Sequence, residues 1–167
     1  MKIEQFEDTN LAHYSYAIIS KGEMAVIDPA RDPKPYLDFA RNNNARITTI
    51  IETHPHADFV SSHLELSKKT GASIYVSRLV GAEYPHETFD DDDSIILGEI
   101  TLKALNTPGH SPDSISIVLI NEEGKETAVF TGDTLFIGDC GRPDLRENAG
   151  AITATRSDLA KQMYNSL

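Results

Sequence analysis

Two histidines and an aspartate at alternate positions in Thr53-His54-Pro55-His56-Ala57-Asp58-Phe59 place three metal-type ligands within one turn of backbone. Imidazole nitrogen and carboxylate oxygen together suit zinc, iron or manganese. Asn106-Thr107-Pro108-Gly109-His110-Ser111 and Phe130-Thr131-Gly132-Asp133-Thr134 each contribute one more such side chain, His110 and Asp133. Each does so beside a glycine that lets backbone approach closely. His54, His110 and Asp133 make two imidazoles and a carboxylate, the set of a facial-triad non-haem Fe(II) site with open positions for dioxygen and substrate. Zinc accepts the same ligands, so these residues by themselves admit either metal. The loop Gly138-Asp139-Cys140-Gly141-Arg142-Pro143-Asp144 has two readings. In one, Arg142 clamps a substrate carboxylate beside the metal, and Cys140 is a thiol whose thiolate both cation and metal favour. In the other, Arg142 and Asp144 form a structural salt bridge across a glycine turn.

These loops need elements to hold them. Ile47 to Glu52 is a short, β-branched, apolar run, which reads as a buried strand delivering His54 at its carboxyl end. That is where α/β folds place their sites. Before it, Ile3–Phe6, Ser15–Ser20 and Ala25–Asp28 predict a β-meander, with Lys21-Gly22-Glu23 turning between the last two strands. A helix is predicted from about Pro33 to Asn43, with Asp32 as N-cap, and a second from about Val60 to Thr70, closed by Gly71. Ser73–Ser77, Ile95–Leu97, Thr101–Asn106, Ser114–Ile120 and Thr127–Phe130 read as further strands, the last two joined by Glu122-Glu123-Gly124-Lys125. Asp90-Asp91-Asp92-Asp93 lacks the ligand alternation of a calcium loop and reads as a solvated acidic turn. The final helix, Ser157–Leu167, sets Leu159, Met163 and Leu167 nearly on one face. Tyr14 and Tyr16 read as core aromatics of a strand before pocket lining. His63 reads as helix surface or support for a ligand, and His13 and His86 carry no functional reading.

The chain has 167 residues, 40% hydrophobic and 25% charged, which predicts one soluble globular domain with a real core. A formal net charge of −11 opposes binding to nucleic acid or to an anionic membrane surface. One cysteine excludes an internal disulfide and fits a reducing compartment; with no leader-like or membrane-spanning run visible, the expected location is cytoplasmic.

His-x-His-x-Asp, Thr-Pro-Gly-His and Thr-Gly-Asp, in this order and spacing, resemble the metallo-β-lactamase fold. With Cys140-Gly141-Arg142 after the aspartate loop, the chain resembles the persulfide (sulfur) dioxygenases, relatives of glyoxalase II. The bacterial forms often fused to rhodanese domains match through Glu52-Thr53-His54-Pro55-His56-Ala57-Asp58 and Gly138 to Asp144. The resemblance runs through nearly the whole chain. It implies an α/β fold, the metallo-β-lactamase-like αββα sandwich, over residues 1–167. Family members continue past the last helix into a strand, a His-bearing loop and a closing helix, so this chain reads as C-terminally incomplete and as a fragment of a longer protein.

The same resemblance implies that His54, His110 and Asp133 hold one Fe(II) per chain, zinc being an alternative as purified. His56 and Asp58 complete the catalytic set from behind those ligands. Arg142, with Cys140 and Ser111, faces the substrate, a thiol persulfide that reacts with O2. Family members are often dimers or tetramers, and a rhodanese domain, fused or separate, is the expected partner. Where the hydrolases continue His-x-His-x-Asp-His, this chain has Phe59. A phenyl ring cannot ligate, so one metal is favoured over the bridged pair on which thioester hydrolysis is built. Two other readings are a glyoxalase II-like thioester hydrolase and a truncated, catalytically silent domain.

Overall fold

The structure, a computed structural model, describes residues 1–146 and 154–167. The elements follow the order β1 (Lys2–Asp8), β2 (His13–Ser20), β3 (Glu23–Ile27), α1 (Lys34–Asn42), β4 (Arg46–Ile51), α2 (His63–Thr70), β5 (Ser73–Val76), β6 (Glu87–Thr88), β7 (Ser94–Leu97), β8 (Ile100–Asn106), β9 (Ile115–Ile120), β10 (Glu126–Phe130), β11 (Leu135–Phe136), β12 (Asp139–Cys140) and α3 (Arg156–Ser166). Six strands form one sheet in the order β1 to β6, and four form a second in the order β10-β9-β8-β7. β1, β2 and β3 pair antiparallel; β3, β4, β5 and β6 pair parallel, with α1 and α2 as crossovers. Among the described residues no helix is long and apolar enough to cross a membrane.

Alternation builds the layers. In β3, Ala25 and Ile27 face the second sheet, whereas Met24 and Val26 face the helices. Ile100, Leu102 and Ala104 of β8, with Ile115, Ile117 and Leu119 of β9, meet Ile18, Ala25, Ile27 and Ile51 between the sheets. Tyr36 and Ala40 of α1 and Leu66 of α2 close the other face of the first sheet. A strand buried on both faces reads as a run of β-branched residues, as Ile47-Thr48-Thr49-Ile50-Ile51 does. These layers are the αββα class expected.

Several local expectations change. α1 begins one residue later than predicted, capped by Pro33, with the Asp32 carboxylate accepting from the Lys34 N–H at 2.9 Å. α2 begins at His63 rather than Val60, because Ser61 and Ser62 are used to anchor the site loop and the chain near Pro29. The acidic run is not simply a solvated turn: Asp90 is buried and accepts from Ser77 Oγ at 2.8 Å and the Arg78 N–H at 3.2 Å. In α3, capped by Thr155 and Asp158, Leu159 and Met163 are buried, but Leu167 is exposed. The short strands β6, β11 and β12 were not legible, being two residues long each.

Candidate metal centre

β4, β8 and β10 all end at one edge of the sandwich, because β8 and β10 flank β9 antiparallel and so run in the same direction. The loops that follow carry His54, His110 and Asp133. Thr107 and Thr134 tie two of these loops together through hydroxyls 3.1 Å apart, and the Ile115 N–H donates to the Thr53 carbonyl at 2.8 Å. Gly141 sits where any Cβ would collide with the Asp133 carbonyl and lie 2.8 Å from His110 Cβ. Glycine is what lets the fourth loop close on the other two.

His54, His110 and Asp133 converge, with one ligand atom of each within 4.8 Å of the others. Asp133 Oδ2 lies 3.7 Å from His54 Nε2 and 3.6 Å from His110 Nε2. Two metal–ligand bonds of about 2.1 Å span such a gap at an open angle. The tautomers also fit. His110 Nδ1 lies 3.1 Å from the Arg142 carbonyl, which only accepts, so Nδ1 carries the proton and Nε2 keeps its lone pair. The Thr53 hydroxyl donates to Asp28 at 2.7 Å and lies 3.1 Å from His54 Nδ1, which donates to it and frees Nε2 in the same way. Burial, with His56 next, holds the His54 imidazole down at about 3, so it is neutral at neutral pH, the form a metal ligand requires. Burial raises the Asp133 carboxyl, against the pull of His110. Such a charge deficit among converging donors is what a cation relieves.

His56 does not join this set. Its side chain is 6% exposed, and Nε2 lies 3.2 Å from Asp28 Oδ1 and 3.6 Å from Glu52 Oε2, an ion pair shared between two carboxylates rather than one aligned hydrogen bond. Burial alone would lower His56, but Asp28, then Glu52 and Asp133, bring it up to about 9. Asp28 is itself held ionised: although burial opposes it, His56 and the Thr53 backbone keep its carboxyl low. Burial pushes the Glu52 carboxyl up. Phe59 stacks on His56 with centroids 4.5 Å apart at 33°, and on His13 at 4.4 Å.

The other expected site residues are distributed unevenly. Asp58 is exposed on the cleft wall, outside both carboxylate–imidazole groups. Cys140 is half-buried on β12. Arg142 makes the salt bridge of the alternative reading, two contacts of 2.8 Å to Asp144 at the surface, while its carbonyl supports His110. Ser111 is a correction: it is fully buried and donates to Asp113, so its hydroxyl supports the His110 loop and does not face the cleft.

A cleft of about 890 Å³ leads to Asp133, lined by Tyr14, Tyr16, His13, Asp58 and Phe136 among others. Tyr14 is exposed cleft wall where the strand pattern placed it in the core, whereas Tyr16 both lines the cleft and packs against the core beside Phe130. His13 reaches the site because β2 begins there, and in the sequence only its position at a strand start marks it. Asp28 and Glu52 stand at strand ends in the sequence, and a carboxylate closing a buried apolar run is itself a signal.

A family model described as the metallo-beta-lactamase superfamily matches residues 8–166. The chain belongs to the metallo-beta-lactamase superfamily. It is 35% identical over 159 residues to the cytoplasmic hydroxyacylglutathione hydrolase of Arabidopsis thaliana, covering 93% of this chain and 57% of the relative. It is 31% identical over 147 residues to the mitochondrial persulfide dioxygenase ETHE1 of Homo sapiens, covering 87% and 52%. The crystal structure of a metallo-beta-lactamase from Staphylococcus aureus subsp. aureus COL superposes with a TM-score of 0.88 at 38% identity, covering 99% of this chain and 51% of that one. The chain thus spans between half and two thirds of the length of these superfamily members.

Proposed function

We propose that this superfamily member is the catalytic domain of a mononuclear non-haem iron dioxygenase that oxidises a low-molecular-weight thiol persulfide, such as glutathione persulfide. The observation that supports it is the three-residue ligand set itself. His56, which its spacing makes an equal candidate, is engaged by Asp28 and Glu52, and Phe59 has no ligand atom. The further group of converging ligand atoms among the described residues, Asp28, Glu52 and His56, does not share Asp133 and is held together by the charge on His56. Two imidazoles and one carboxylate leave coordination positions for two small reactants.

His54, His110 and Asp133 would hold the iron, which would supply dioxygen activation for the reaction RSSH + O2 + H2O → RSH + SO3²⁻ + 2 H⁺. The chain does the rest. Thr53 and the Arg142 carbonyl fix both imidazoles in the tautomer that presents Nε2. The cleft is large enough for a tripeptide-sized carrier, and its wall of Tyr14, Tyr16 and Phe136 takes that carrier's apolar stem. Arg142, whose carbonyl holds His110 and whose guanidinium is exposed, exchanges Asp144 for a carboxylate of the carrier. Oxygen uptake and sulfite release on iron-loaded protein given glutathione persulfide are expected; absence of sulfite defeats the proposal.

The competing reading is a glyoxalase II-like thioester hydrolase, favoured by the higher identity to the Arabidopsis relative. Two metals per chain together with turnover of S-lactoylglutathione would establish it.

A further inference from the structure

The motif His54-Pro55-His56 presents two imidazoles whose ring centroids are only 4.4 Å apart, both beside the place where an ion would sit. A three-ligand site with open positions survives only if one of them is kept away. We propose that Glu52 is a positioning residue that, with Asp28, holds His56 out of the coordination shell and so fixes the imidazole count at two. The inference rests on the mononuclear reading above and deepens it by assigning Glu52 the task of keeping His56 from the ion.

Three observations carry it. First, His56 is nine-tenths buried and its Nε2 is aimed between the two carboxylates, 3.2 and 3.6 Å away. Second, Glu52 is anchored from its far side: Ser61 Oγ donates to Oε1 at 2.5 Å and His63 Nδ1 lies 3.4 Å from the same oxygen. Its other oxygen is therefore presented to His56. Third, Phe59 covers the His56 ring face at 4.5 Å, so the ring cannot swing without losing that stack. Burying a carboxylate is costly unless it is paired. Glu52 is 6% exposed beside a largely apolar cavity of about 350 Å³ walled by Val76, Val80 and Tyr84, where a smaller neutral side chain would fit with no such cost. Packing alone does not account for it.

Glu52→Gln tests the assignment while preserving shape. The Ser61 hydroxyl orients the amide oxygen toward itself, leaving the NH2 to face the His56 donor, so attraction becomes repulsion. The readout is the number of coordinated imidazoles in Cu(II)-loaded protein, counted by electron spin echo modulation from their remote nitrogens. The unmodified protein is expected to show two, Glu52→Gln three, and Glu52→Gln/His56→Gln two again. Glu52→Ala, expected also at three, serves if the amide variant does not fold. Three imidazoles in the unmodified protein overturn the proposal, as does a count that stays at two in both Glu52 variants. Neither iron nor persulfide enters the experiment, so its failure is distinct from a failure of the dioxygenase reading, which is judged by sulfite release.

Discussion

The molecule holds two groups of carboxylates and histidine side by side, made of the same residue types and drawn partly from one loop. In the first, His54 and His110 present bare nitrogens toward a half-exposed Asp133, and burial keeps His54 neutral. In the second, His56 is a buried cation between Asp28 and Glu52. What separates them is where the partner hydrogen bond falls. His54 and His110 donate through Nδ1 to a hydroxyl and a carbonyl, which frees Nε2; His56 spends Nε2 on carboxylates, which charges the ring. One group is prepared for a metal, and the other substitutes a proton for one.

That contrast is broken most severely by removing a ligand. His110→Ala or Asp133→Ala is expected to reduce bound metal from one per chain to near zero, a loss greater than the roughly 10- to 100-fold that deleting an outer partner costs. Elemental analysis after dialysis checks it. Next comes Asp28→Ala, which leaves His56 and the Thr53 donors without their buried acceptor. Breaking such a pair costs about 3–5 kcal/mol, read as a lower urea midpoint, with metal stoichiometry changing less than in the ligand variants.

Titration separates the two groups in metal-free protein. His54 is depressed to about 3 and His56 raised to about 9, each from 6.5. For His54 the unfolded chain takes up the proton first, so stability falls as pH drops below 6.5. The His56 contribution is fully present below 6.5 and is lost as pH rises through about 9. These two histidine contributions together peak near pH 6.5, with the upper limb on the order of 3 kcal/mol. His56→Gln removes the upper limb and also shortens the lower one, because His56 helps to depress His54; a curve unchanged by the substitution contradicts the assignment.

The smallest structural effect belongs to Arg142→Ala. Its salt bridge is at the surface, where such pairs contribute little, so the thermal midpoint should stay within measurement scatter. A rise in KM for glutathione persulfide with kcat preserved would mark Arg142 as the carrier's contact; an unchanged KM would leave it a purely structural pair.

Much of the frame was readable from residue order. The strands around Ile47–Ile51 and Ile115–Ile120 showed as β-branched runs, Gly71 marked the end of α2, and the glycine-bearing loops after β8 and β10 marked where ligands emerge. Strand and helix signals depend on neighbours a few residues apart, which a chain displays directly. Two-residue strands such as β11 carry no such period, and Leu167 lies on the apolar stripe of α3 yet ends in solvent.

By itself, the sequence determined the ligand types, their spacing, and the absence of an imidazole at Phe59. Only the tertiary structure decided which imidazoles converge with Asp133 and which one meets two carboxylates. Parallel pairing sets Ile27 against Ile51, so the residues that follow each strand, Asp28 and Glu52, arrive together at the same edge and meet His56 there. The charge of an imidazole depends on what surrounds it in space, and Asp28 lies 28 positions away along the chain, beyond the reach of any local pattern.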